Sequence, residues 1–205
     1  MKPKTIVLIA LTVLGYNLYQ HGVTINDIKH QQQPLSGIQF KKIPEQSPTN
    51  IPPFTANNHT ITPLARFTIR ARVLSVEQYR FDRAAVIAPV DLALAWGRMA
   101  DPMYYERMEV SQSGRWYFYH WAGEPPLPQQ EILESSANMH MIPANDAVRN
   151  ILKHVRRHQM VRLKGFLVEV NSPDGWRWRS SLRRDDSGDG ACEVVYVEAI
   201  DIEAN

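Results

Sequence analysis

The chain has 205 residues, 44% of them hydrophobic and 21% charged, with a formal net charge of +2. Cys192 is its single cysteine, so an internal disulfide is excluded and packing alone must hold the fold. No internal repeat is visible.

Thr5 to Val23 contains no acidic or basic side chain except His21, and Lys2 and Lys4 precede it. Its strongly apolar part, Ile6 to Leu14, is lengthened by Gly15 to Tyr19 to about 15 residues, or roughly 22 Å of helix. A hydrocarbon core is about 30 Å thick; Tyr16, Tyr19 and Gln20 extend the span because aromatic and polar tips suit the headgroup zone. A cleaved secretory signal is the competing reading. The best local cleavage candidate, Val13-Leu14-Gly15, leaves little apolar region ahead of it. The expectation is therefore an uncleaved signal-anchor over residues 1–23. The two lysines would hold the N-terminus in the cytoplasm and leave the rest of the chain outside.

Residues 24–65 read as a semi-extended tether. Six prolines fall in this stretch, with a Gln31-Gln32-Gln33 run and many Asn and Thr, and each proline fixes φ and removes a donor.

Residues 66–205 then make one domain of 140 residues, enough to bury a core. Arg66 to Val76 alternates Phe67, Ile69, Ala71 and Val73 against charged and polar neighbours, the pattern of a half-buried strand. Pro89 to Ala100 reads as a short helix, with Pro89 in the first turn, Asp91 favoured by the macrodipole, and Leu92 and Trp96 on one face. Met108 to Trp121 reads as a hairpin turning at Ser111 to Gly114. Its second arm, bulky on both faces, is expected to be central. Glu124 to Gln130, with three prolines, is a surface loop.

Asn145 to His158 is the clearest helix. Asn145 is an N-cap, and Val148, Ile151, Leu152 and Val155 form one apolar stripe. Met160 to Val170 and Trp176 to Leu182 make a second hairpin across a Ser172-Pro173-Asp174-Gly175 turn, and Cys192 to Ile202 is a final, mostly buried strand. The fold class is α+β: a β-rich single domain, with strand count and order suggesting a small OB-like Greek-key barrel with two short helices.

Charge distribution gives the strongest functional hint. Ten basic residues and two acids lie between Arg149 and Arg184. Within that stretch Trp176 and Trp178 interleave with Arg177 and Arg179, and strand alternation puts indoles on one face and guanidiniums on the other. Rings beside cations hold single strands or sugars in open-barrel proteins, so these four are the candidate ligand-binding residues. The bland alternative is internal compensation, since residues 185–205 carry seven acids and no Lys or Arg. An outward location weakens a nucleic-acid role and favours an anionic envelope polymer or an acidic partner protein.

Two metal readings are weak. Asp185, Ser187 and Asp189 alternate before Gly190 like the opening of a calcium loop, but Tyr196 stands where the bidentate Glu belongs. His154 and His158 share helical spacing, yet Lys153, Arg156 and Arg157 crowd them and no third ligand is evident. No metal or cofactor is expected. A hydrolase would use His140 as base, Asp91 as orienter, and Cys192 or one of Ser135, Ser136, Ser180 and Ser181 as nucleophile. No nucleophile elbow, zinc-protease or Walker signature accompanies them.

Tyr79-Arg80-Phe81-Asp82-Arg83, Ser136-Ala137-Asn138-Met139-His140-Met141-Ile142-Pro143-Ala144 and Gly190-Ala191-Cys192-Glu193 resemble stretches of a bacterial group of uncharacterised proteins that carry an N-terminal hydrophobic segment. The likeness covers most of residues 70–200. It implies a bacterial source, an inner-membrane anchor and a periplasmic or cell-surface domain, and it supplies no activity or catalytic residue. The sequence thus favours a membrane-tethered binding or accessory module for an envelope component. An envelope hydrolase built on His140 is the rival.

Overall fold

The computed structural model describes residue 35, residues 37–186, residue 188 and residues 191–203. The expected signal-anchor, the first part of the tether, and Ser187, Asp189 and Gly190 of the acidic loop lie outside the described residues. Among those described, no helix is long and apolar enough to cross a membrane.

The domain is β-rich with a few short helices and a mixed sheet, an α+β arrangement. Its organising element is β3 (His59–Gln78), a 20-residue strand. It follows β1 (Glu45–Ser47) and β2 (Phe54–Ala56), both of which pair with it antiparallel. The predicted alternation holds: Ala65, Phe67, Ile69, Ala71 and Val73 are buried, while Arg66 and Arg72 are partnered at the rim or exposed. Pro63 sits in this strand at an irregularity between Pro63 and Ala65, where a missing donor is tolerated.

A strand of this length can serve two neighbours. The first part of β3 pairs with β8 (Met160–Asn171), and its last part pairs with β4 (Val90–Ala95). β4 in turn pairs antiparallel with β7 (Ser136–Pro143), β7 pairs parallel with β10 (Glu193–Ile202), and β10 pairs antiparallel with β8. The path β3-β4-β7-β10-β8 therefore returns to β3. Inside this ring lie Leu92, Leu94, Met139, Met141, Leu163 and Val195, among others.

Between β7 and β8 runs α3 (Asp146–His154), following α1 (Pro102–Tyr105) and α2 (Gln129–Glu134). Asn145 caps α3 by accepting from the Val148 amide at 3.0 Å, and Val148, Leu152 and Val155 pack into the ring's interior. The helix ends at His154, and His158 follows with φ 70°. The two imidazoles are thus not presented from one helical face, which removes that metal reading.

Three further expectations need correction. The tether expected to run to residue 65 enters the sheet by Glu45, because Ile51, Phe54 and Ala56 cover an apolar patch outside the ring and Phe54 sits edge-on to Tyr196 at 4.9 Å. The helix expected over Pro89–Ala100 is β4 plus a 3₁₀ turn at Gly97–Ala100. Every residue of β4 is buried, because residues 99–132 fold over its outer face and pack Met99, Tyr105, Met108, Leu127 and Ile132 against Ala93 and Ala95. Burial on both faces erases the period-two signal. The aromatic arm expected to be central is β6 (Trp116–His120), which with β5 (Glu109–Ser113) makes a separate two-stranded sheet. Its bulk is two-sided because Tyr117 and Tyr119 pack on the same cluster while Phe118 and Trp116 face out.

Candidate functional site

A cleft of 1110 Å³ opens between the β3–β4 connection, the tip of the β5–β6 hairpin, and β9 (Arg177–Arg179), which pairs with β8. Its floor includes His140 and Cys192. Each wall is set by local chemistry. The β3–β4 connection is shaped by a 3₁₀ turn at Arg83–Val86, whose N-cap Asp82 accepts from the Ala85 amide at 2.9 Å. β9 is placed by the predicted turn, in which the Gly175 amide donates to Ser172 O at 3.0 Å and the Ser172 amide to Trp176 O at 2.8 Å.

The hairpin tip is a two-residue loop closed by the Ser113–Trp116 pair, with Gly114 at φ 57° and Arg115 at φ 74°. This backbone matches the strand twist and strongly prefers Gly or Asn at both positions. Arg115 accepts the strain because its side chain is held from four directions. One guanidinium nitrogen donates to Asp91 Oδ1 at 2.8 Å and to Ala88 O at 2.9 Å. The other donates to both Asp82 oxygens at 2.8 and 2.9 Å. The group also lies over the Tyr79 ring at 3.7 Å, and the Arg115 carbonyl accepts from Asn138 at 2.9 Å.

His140 and Asp91 are directly opposite across β4 and β7, and His140 Nδ1 lies 2.9 Å from Asp91 Oδ2. The contact is out of line for a hydrogen bond, so Nδ1 has no hydrogen-bond partner. His140 is 2% exposed and Asp91 0%. The Trp178 ring covers the imidazole, with centroids 4.5 Å apart, and Trp176 lies against Trp178 at 5.6 Å. Cys192 stands in the same wall, but no hydrogen bond joins it to His140 among the described residues. Burial, followed by the nearby Glu193 and Asp91 carboxylates, pushes its thiol up to about 12, which leaves almost no thiolate at neutral pH. Ser180 and Ser181 are engaged elsewhere: Ser180 Oγ accepts from the Val194 amide, and Ser181 Oγ lies 2.6 Å from Asp186. The sequence candidates thus divide: His140, Asp91, Trp176 and Trp178 come into contact as one group, and Cys192 lines the same space without joining it.

The alternation along β9 is as expected, with the indoles half-buried and the guanidiniums exposed. The charge, however, is compensated from an unexpected side. Arg177 and Arg179 both pair with Glu169 on β8, at 2.6 and 2.5 Å. The Arg177 hydrogen bond, reinforced by Arg179 and Asn171, holds the Glu169 carboxyl down to about 2. The C-terminal acids contact other arginines: Asp185 meets Arg183, Glu193 meets Arg184, and Asp201 meets Arg162.

Sequence reasoning passed over Tyr79, Phe81, Asp82, Arg115 and Trp116, which build two of the three walls. A signal existed in Tyr79-Arg80-Phe81-Asp82-Arg83, where aromatic and charged residues alternate in a segment with turn character. The contribution of Arg115 is non-local and leaves no pattern in the chain. Comparison with protein families, curated proteins and solved structures finds no match.

Proposed function

We propose that this chain is a non-enzymatic binding or accessory module, tethered to the membrane by residues 1–23, that holds an envelope component in the cleft floored by His140. The reading includes an OB-like Greek-key barrel. Strand order supports it: five strands paired 3-4-7-10-8 and back to 3, a parallel β7–β10 pair, and a helix between β7 and β8. Barrels of this type take extended polymers on one face, between the loops that flank it.

The single observation that carries the binding reading is Phe81. It is 98% exposed at the cleft mouth, where Trp116, 39% exposed, also lines the opening, so exposed ring surface is gathered at one site and not scattered singly. The hydrolase alternative draws on the His140–Asp91 contact alone. It is weakened by the protonated Cys192 thiol and by Arg115, which already occupies the other Asp91 oxygen.

A photo-crosslinking residue at position 81 of the full chain, compared with one at exposed Met103 outside the cleft, tests the reading in intact bacteria. Discrete adducts from position 81 alone are expected. Equal labelling at both positions, or none, overturns it. A reporter fused after Asn205 checks the tether separately, since activity confined to the cytosol contradicts an outward domain.

A further inference from the structure

We infer that the cleft recognises an uncharged glycan chain by stacking and hydroxyl hydrogen bonding, and not a polyanion by charge. The inference rests on the cleft being the binding site.

The cleft is rich in arginine yet nearly neutral. Arg115 is neutralised by Asp82 and Asp91, Arg83 by Asp174, and Arg177 and Arg179 share Glu169. Among the described residues only Arg80, of the arginines lining the cleft, has no ion-pair partner. A polyphosphate ligand would need guanidiniums free to replace its counterions. Here such a ligand would have to displace carboxylates already in place, including Glu169 and the fully buried Asp91.

Paired guanidinium and carboxylate groups instead offer fixed donors and acceptors side by side. A sugar hydroxyl donates once and accepts twice, so it can bridge such a pair without breaking it. Exposed aromatic faces complete the requirement. Phe81 on one wall and Trp116, 39% exposed, on another both border the cleft mouth. Trp176 and Trp178 are not free platforms: Arg83 covers Trp176 at 5.2 Å, and His140 covers Trp178. The rim therefore supplies the stacking surfaces, and the floor is prepacked, which reduces the ordering cost of binding.

The test is titration of chitotetraose, cellotetraose and maltotetraose, with an oligo-dT 12-mer and polyphosphate as anionic comparators, at 50 and 500 mM NaCl. At least one neutral tetrasaccharide is expected to bind with the same affinity at both salts, and Phe81→Ala and Trp116→Ala each to weaken it about tenfold or more. Absence of binding by all three sugars, or sugar binding that both substitutions leave unchanged, overturns the inference. Binding of either anion that collapses at 500 mM NaCl overturns it in favour of a polyanion. In that case adducts from position 81 would keep the cleft as the binding site, so the two readings fail separately.

Discussion

Arg115 and Tyr79 clasp each other twice: the guanidinium lies 3.7 Å from the centre of the Tyr79 ring, and the Arg115 amide donates to the Tyr79 hydroxyl at 3.0 Å. With the Asp82 and Asp91 ion pairs, this makes one side chain the joint between the hairpin tip, the β3–β4 connection and the ring. Its loss leaves Asp91 buried beside His140 without its main counter-charge. Breaking a buried pair from one side costs about 3–5 kcal/mol. Arg115→Ala is expected to lose about 3 kcal/mol in urea unfolding, and Arg115→Lys to lose most of that because a point charge cannot span Asp82 and Asp91 together. Asp91→Asn added to Arg115→Ala should recover part of the loss. A single-variant loss under about 1 kcal/mol, the scale of an exposed pair, contradicts this role.

Gly165 marks a close approach of β8 to β10. A Cβ there would lie 1.9 Å from the Tyr196 carbonyl oxygen and 2.9 Å from its carbon. The register of β8 against β10 shifts just beyond, between Val197 and Ala199. Backbone is the obstacle, so no rotamer change relieves it. Gly165→Ala is expected to destabilise by about 3 kcal/mol or more, beyond the ordinary range for overpacking, or to prevent folding. Wild-type stability in thermal or urea unfolding would refute the close approach.

What could be read from the chain was local. The Asn145 cap with its 3.6-period stripe, the alternation of β3, and the Ser172–Gly175 turn all carry their own chemistry and all appear as expected. β4 misled because Leu92 and Trp96, four apart, share a face on a strand as well as on a helix. Its covering by residues 99–132 is a tertiary fact with no local trace. The same holds for the cleft. His140 and Asp91 stand out by residue type, and they meet across β4 and β7. Arg115, which organises their surroundings, sits in the hairpin tip just before β6, and nothing local in the chain marks its partners.

Cys192 separates the binding and hydrolase readings chemically. With the thiol pushed up to about 12, the thiolate fraction at pH 8 is on the order of 10⁻⁴, against roughly a quarter for an ordinary cysteine. Iodoacetamide at pH 8 is expected to modify the native protein at least 100-fold more slowly than glutathione, and to react freely once urea unfolds the chain. Rapid labelling of the native protein, followed by mass spectrometry of the Cys192 peptide, would restore the nucleophile and with it the hydrolase.

Glu193 lies at the start of β10, buried, with Arg184 at 2.5 Å on Oε1 and no partner on Oε2. Burial raises its carboxyl from 4.5 to about 7, against the opposing pull of Arg184. Between these two values the folded protein holds a proton that the unfolded chain has released. Stability from this group is thus fully present below about pH 4.5 and is lost as pH rises through 7, by about 3 kcal/mol in all. His158, whose value is lowered chiefly by burial, opposes this slope, because its neutral form is favoured on folding. Comparison with Glu193→Gln cancels the histidine contribution. The urea-derived stability of the wild type relative to Glu193→Gln should fall steadily from pH 5 to pH 8. Parallel profiles over that range would show that Glu193 stays ionised throughout, paired to Arg184 as an ordinary salt bridge.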